Sequence, residues 1–516
     1  MRAFGFVLIC ALASPLWAQT PSSAIDWLSN ALENPPRYYI PPPTQLRGPS
    51  DDVVSVTPLA SVDRESTGLI AAELAGFSQQ MWGATSAADA IAMLSTHRPM
   101  GIPEGHALFR RLLLAQVDAP IGASPSDSPL LARVDQLFAL GALDEAETLI
   151  VLANPNEKEL FRRWFEISLL VGRTVAPCQD LKAAPALADD ISIRAICLAR
   201  SGDWNAAATI VSLGSTLGEI DELRADLLIR FLDPALFEEE ADPEIPHPLT
   251  PIDFALREAL ALPRPLGRLA PPYLFGDLAL STPLRQRMEA AERLVETAAI
   301  TPPLLFATYR GGRPASSGGI WGRAAAVQAL DRALSEDDDT MLAQTFGTAM
   351  RAFAEPSLMA AFAYEYGPQL ALRRPSAPLE LVAHDIQRIL LLANAEAPEW
   401  FEPLGPPDSA LELARRIVLQ TQLPFEEAPS APLMRAIYAA FSDQTPSMAG
   451  SLTASRLIED QKQAPAVLIA LNLMAEGADS SPADVHLGLW LLRQVGQEVA
   501  ARRMAVQLLL LERAGA

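Results

Sequence analysis

The stretch Pro129-Leu-Leu-Ala-Arg-Val-Asp-Gln-Leu-Phe-Ala-Leu-Gly-Ala-Leu-Asp-Glu-Ala146 decides the fold. Leu130, Val134, Leu137 and Phe138 fall at i, i+4, i+7 and i+8, one face of an α-helix. Gly141 then breaks the pattern, and a second apolar-periodic run begins at once. The segment therefore predicts two helices joined by a tight turn. Leu487, Trp490, Leu491 and Val495 predict a similar face near the C-terminus, and Ala501, Met504, Ala505 and Leu508 predict the next helix. No sustained alternation of apolar and polar residues bounded by hairpin signals occurs, so a large sheet is not expected.

The spacing L-x3-G-x4-A at Leu137, Gly141 and Ala146 recurs at Leu198, Gly202 and Ala207, and again at Leu492, Gly496 and Ala501. The leucine buries against the partner helix, the glycine turns the chain, and the alanine lets the second helix approach closely. These three hairpins resemble tetratricopeptide-like helical hairpins, with Gly202-Asp203-Trp204-Asn205-Ala206-Ala207 the nearest local match. The resemblance implies an all-α, irregular helical-hairpin array, or solenoid, in one or two halves. The alternative is ordinary helical hairpins in a globular bundle.

The chain has 516 residues, of which half are hydrophobic, and a formal net charge of −22. That apolar content supplies a core and excludes global disorder. The acidity argues against nucleic acid as a partner, because such binding relies on neutralising phosphates, and against docking on an anionic membrane. Lysine occurs only at Lys158, Lys182 and Lys462, and arginine supplies the other cations.

Arg2, the apolar run Phe4 to Leu16 and the small Ala18 read as a secretory signal peptide over residues 1–18. The alternative is a buried N-terminal strand or helix. Export implies a periplasmic destination. No later run offers 18 uninterrupted apolar residues, so no transmembrane anchor is expected in the mature chain. Cys178 and Cys197 are then the remaining cysteines, and an oxidising compartment predicts a disulfide between them. The alternative is two buried thiols.

Prolines punctuate the chain. Residues 19–64 read as an extended Pro-rich tail with an apolar island at Ile25, Trp27, Leu28 and Leu32, which docks either on its own domain or on a partner. Residues 65–240 form a first helical domain, 241–283 a second Pro-rich connection, and 284–516 a C-terminal helical domain. Thr250-Pro251-Ile252-Asp253 and Ser481-Pro482-Ala483-Asp484 each place a cap, a first-turn proline and an acid at a helix start.

No pattern of reactive residues stands out. The five histidines show neither H-x3-H nor H-E-x-x-H spacing, so neither metal nor other cofactor is expected. Exported helical cell-wall lyases often set a catalytic glutamate before a serine near the C-terminus; here that pair occurs only at Glu65-Ser66, near the start of the chain, which argues against that enzyme reading. The glycine-rich loop between Arg310 and Arg323 carries Arg313 as well, and these three arginines are candidate anion or peptide contacts. The loop lacks the lysine of a P-loop, and its bland reading is a connection between helices.

These features lead to the expectation of an exported, non-catalytic helical scaffold that binds protein or peptide partners of a cell-envelope machine. Candidate systems include envelope assembly, cell-wall machinery and a periplasmic motility accessory of the flagellar motor. The alternatives are a wall-directed hydrolase with an unrecognised site and a binder of small anions at the arginine loop.

Overall fold

A computed structural model describes residues 63–97, 100–237, 241–401, 409–421, 423, 428–442, 444–446 and 455–511. The expected signal segment over residues 1–18 and the island at Ile25, Trp27, Leu28 and Leu32 lie outside the described residues. The described residues belong to one compact unit, Ala60–Ala516. The protein is all-α, with 67% of its residues helical and 2% in strands. Ile70–Ala71 pairs in parallel with Ala115–Gln116, the two-stranded sheet found among the described residues.

All three L-x3-G-x4-A stretches are helical hairpins. Pro129–Leu140 turns into Leu143–Leu152, Ile191–Arg200 into Trp204–Leu217, and Pro482–Gln494 into Glu498–Leu510. Gly141, Gly202 and Gly496 have φ of 84°, 88° and 82°. A side chain there would meet the left-handed steric penalty, so glycine is the residue that lets the chain reverse within one turn. Ala146, Ala207 and Ala501 are fully buried against the preceding helices.

The stripe expected at Leu487, Trp490, Leu491 and Val495 is displaced. Leu487, Trp490 and Val495 are half-buried, and the deepest residues of that helix are Val485, Leu489 and Leu492. The Pro482–Gln494 helix packs on Pro432–Phe441, on Gln463–Leu473 and on Glu498–Leu510. Several neighbours compete for its surface, so no single stripe defines its buried side.

The expected helix starts are built as read. Thr250 Oγ1 accepts from Asp253 N–H at 3.2 Å, and Asp253 reaches back to Thr250, completing a capping box. Ser481 Oγ accepts from Asp484 N–H at 3.1 Å. The Pro-rich connection 241–283 is packed structure. Its Pro251–Ala259 helix lies on Lys158–Leu170, and its 3-10 segment Pro271–Leu278 lies on Leu284–Glu296 and Pro129–Leu140.

The first helices pack on the last. Pro103–Leu114 contacts Glu498–Leu510, and Ala87–Ser95 contacts Gln463–Leu473. Backbone bonds stitch this seam, from Ala464 N–H to Met81 O at 2.8 Å and from Gly101 N–H to Ala475 O at 2.9 Å. Glutamines complete it. Gln507 Oε1 accepts Glu104 N–H at 2.9 Å, and Gln463 Oε1 accepts Ser78 N–H at 2.8 Å. The Glu104 N–H lies in the first helical turn, where no intrahelical acceptor exists, so Gln507 satisfies a donor that would otherwise be orphaned. A nearest-neighbour stack has no such contact.

The disulfide between Cys178 and Cys197 is formed, joining Val175–Ala183 to Ile191–Arg200 across 19 residues of sequence. Its loop-closure contribution is about 3 kcal/mol. The Cys178→Ser/Cys197→Ser double variant should lose that amount in a denaturant titration, and excess reductant should reproduce the loss in the wild type. An unchanged midpoint would contradict it.

Candidate functional site

The arginine loop emerges from the Pro302–Arg310 helix and feeds Ile320–Glu336. Gly318 and Gly319 carry φ of 74° and 57°, which sets up the entry into the second helix. Beneath the loop lies an aromatic core of Phe306, Tyr309, Phe346, Phe353, Phe362 and Tyr366, all fully buried.

The polar edges of this core decide what the arginines do. Arg310 grips Asp331 through Nε at 2.8 Å and Nη2 at 3.0 Å, and Glu365 through Nη1 at 2.8 Å. Tyr366 donates its hydroxyl to the same Asp331 at 2.8 Å. Arg323 holds Glu292 with Nε and Nη2, each at 2.6 Å, and Tyr309 donates to Glu292 Oε1 at 2.6 Å. Gln328 ties the loop itself, donating to the carbonyls of Tyr309 and Gly312.

The electrostatics follow from this wiring. Burial, reinforced by the Glu292 charge, pushes the Tyr309 phenol far above its ordinary range. Burial beside Asp331 does the same to Tyr366. Both phenols therefore stay protonated and act as hydrogen-bond donors. Hydrogen bonding to Asp331 raises the Arg310 guanidinium against the cost of burial.

Of the three arginines singled out by sequence, the structure places Arg310 and Arg323 in internal carboxylate pairs and Arg313 exposed on the loop. The two flanking arginines join four helices, and their forks are occupied by Glu292, Asp331 and Glu365. The sequence could show basic residues around a glycine loop. It could not show their partners, which lie on other helices up to 55 residues away.

Glu65 is also accounted for by structure. It is buried, accepts Leu130 N–H at 3.0 Å and Ser128 Oγ at 2.8 Å, and pairs with Arg64. It therefore satisfies the start of the Pro129–Leu140 helix. Among the described residues no group of three or more histidine, cysteine or acidic side chains is placed to hold a metal. No described helix is long and apolar enough to cross a membrane.

His97 lies near the seam, stacked on Phe109 with ring centroids 3.7 Å apart. Burial, with a smaller push from His106, holds its pKa down to about 4. An unfolded histidine takes up its proton near pH 6.5. The folded state therefore binds fewer protons between these values, and stability is full above pH 6.5 and falls as the pH drops toward 4. The expected loss is about 2 kcal/mol after allowance for solvent screening. Urea midpoints at pH 7.5 and 4.5 should diverge more for the wild type than for His97→Leu; parallel behaviour would exclude His97 as the cause.

No family model, curated protein or solved structure matches the chain.

Proposed function

We propose that the protein is an exported, non-catalytic α-helical scaffold that binds a protein or peptide partner in a periplasmic cell-envelope machine, motility machinery among the candidates. The observation that carries this reading is the surface of the Ile191–Arg200/Trp204–Leu217 hairpin. Leu213 and Leu217 lie one turn apart on the second helix and are 57% and 62% exposed. Apolar side chains adjacent on one helix face are suited to a partner's apolar groove or helix. The Cys178–Cys197 disulfide braces the neighbouring helix, so this surface is presented on a rigid support and less entropy is lost when it is covered. The tail island around Trp27 is a second contact in this reading.

Crosslinking pull-down from the periplasm tests it. The wild type should recover a defined partner, and Leu213→Asp/Leu217→Asp should lose it while retaining the wild-type circular dichroism spectrum. Equal recovery by the folded variant would remove this hairpin from the binding surface. Trp27→Ala tests the tail in the same experiment.

A further inference from the structure

A cleft of about 480 Å³ opens beside the seam between the first and last helices. Its wall is made by Thr96, just after the Ala87–Ser95 helix, by the end of Gln463–Leu473, and by the residues leading into Pro482–Gln494. Two of its features bear on what it can hold.

The first is its charge. Glu476 and Asp484 both line the cleft, and neither forms an ion pair among the described residues. Elsewhere carboxylates near a concave surface are held by arginine, as with Asp277 and Arg264, or Glu498 and Arg502. Asp484 Oδ2 accepts from Ser481 Oγ at 2.7 Å, which orients the carboxylate without neutralising it. His97, next to Thr96, is kept neutral by burial and supplies no counter-charge at ordinary pH.

The second is Ser480. It is 6% exposed, it lines the cleft, and its Oγ has no hydrogen-bond partner. A buried hydroxyl left unpaired is destabilising, so a polar atom that reaches it from the cleft is stabilised there. Opposite chemistry is also present, since Ile469 and Leu473 give the cleft an apolar side.

We propose that this cleft binds the ammonium end of an alkylamine, either a free amine or a lysine side chain. An ammonium group has three donors and no acceptor. The carboxylates of Glu476 and Asp484 and the hydroxyl of Ser480 are acceptors, and two of the three carry the complementary charge. The methylene stem lies along Ile469 and Leu473, as amphipathic cations place their stems on apolar surface. The inference stands apart from the scaffold reading, because it concerns the seam and not the Leu213–Leu217 surface.

Isothermal titration of the full mature chain with 1,5-diaminopentane and with a short lysine-bearing peptide is the test, using 1,5-pentanediol and sodium chloride at matched ionic strength as controls. Saturable binding of the diamine is expected, with no binding of the diol. Glu476→Gln removes an exposed carboxylate with no role in the packing and should weaken binding about tenfold, the loss of one charge-assisted hydrogen bond. Glu222→Gln, on an unrelated helix, should leave it unchanged. Tighter binding of the peptide assigns the site to a lysine side chain, and tighter binding of the diamine assigns it to a free amine. Absence of saturable binding to both, equal binding of the diol, or unchanged affinity in Glu476→Gln overturns the proposal.

Discussion

Arg133→Met should lower the unfolding free energy by about 4 kcal/mol, the cost typical of breaking a buried charged network. Arg133 is 2% exposed and sits inside the stretch that defines the fold. Its Nε donates to Leu113 O at 2.7 Å, Nη1 to Thr67 O at 2.7 Å and Nη2 to Ala115 O at 2.9 Å. One guanidinium thus fastens the segment before Ile70–Ala71, the end of Pro103–Leu114 and the strand Ala115–Gln116 onto the Pro129–Leu140 helix. Burial pulls its pKa down to about 10 against the favourable Glu65 charge, and it remains protonated at neutral pH. Methionine replaces the stem but removes the guanidinium donors from the carbonyls of Leu113, Thr67 and Ala115. Lysine restores the charge and not the planar fork, so Arg133→Lys should fall between wild type and Arg133→Met. Guanidinium titrations followed by circular dichroism would read the series; a loss below about 1 kcal/mol for Arg133→Met would show that water replaces the guanidinium.

Phe306→Ala should cost a comparable amount, about 4 kcal/mol, through a different cause. Phe306 is fully buried, with ring centroids 5.8 Å from Tyr309, 5.6 Å from Phe353, 6.4 Å from Phe362 and 5.4 Å from Tyr366. Its removal leaves a cavity lined by rigid rings that cannot collapse, so the lost transfer energy and the cavity term add. The consequence reaches the arginine loop, because Tyr309 and Tyr366 carry the hydroxyls that orient Glu292 and Asp331. Phe306→Leu should recover more than half of the loss. Thermal unfolding of the two variants checks the order, and equal midpoints would argue against a cavity as the cause.

The parts of the fold legible in the sequence are those whose physics is local. Gly141, Gly202 and Gly496 announce reversals because few other residues tolerate that backbone. Thr250 and Ser481 announce helix starts because their hydroxyls reach a donor three residues away. The cysteine pair was legible from its number and from the oxidising compartment that the N-terminal segment led one to expect. The seam was not. Gln463, Gln497 and Gln507 read as polar helix positions, and nothing in their spacing says that their amides bond to Ser78, Gly76 and Glu104. Arg133 was equally silent, since arginine at a helix position ordinarily reaches for water. The arginine loop was visible as a basic segment, but its meaning depends on carboxylates supplied by Glu292, Asp331 and Glu365, which lie on three different helices.

The seam also sets an order of events. The acceptor for Glu104 N–H is made 403 residues after its donor. At about 5–20 residues per second, a ribosome needs roughly 20–80 s to supply it. During that interval the Pro103–Leu114 helix lacks the Glu498–Leu510 surface that it finally covers, and a chain cut short before it cannot form the seam. The seam therefore closes only once the Pro482–Gln494/Glu498–Leu510 hairpin has been made, and the two ends of the chain complete their burial in a single late step.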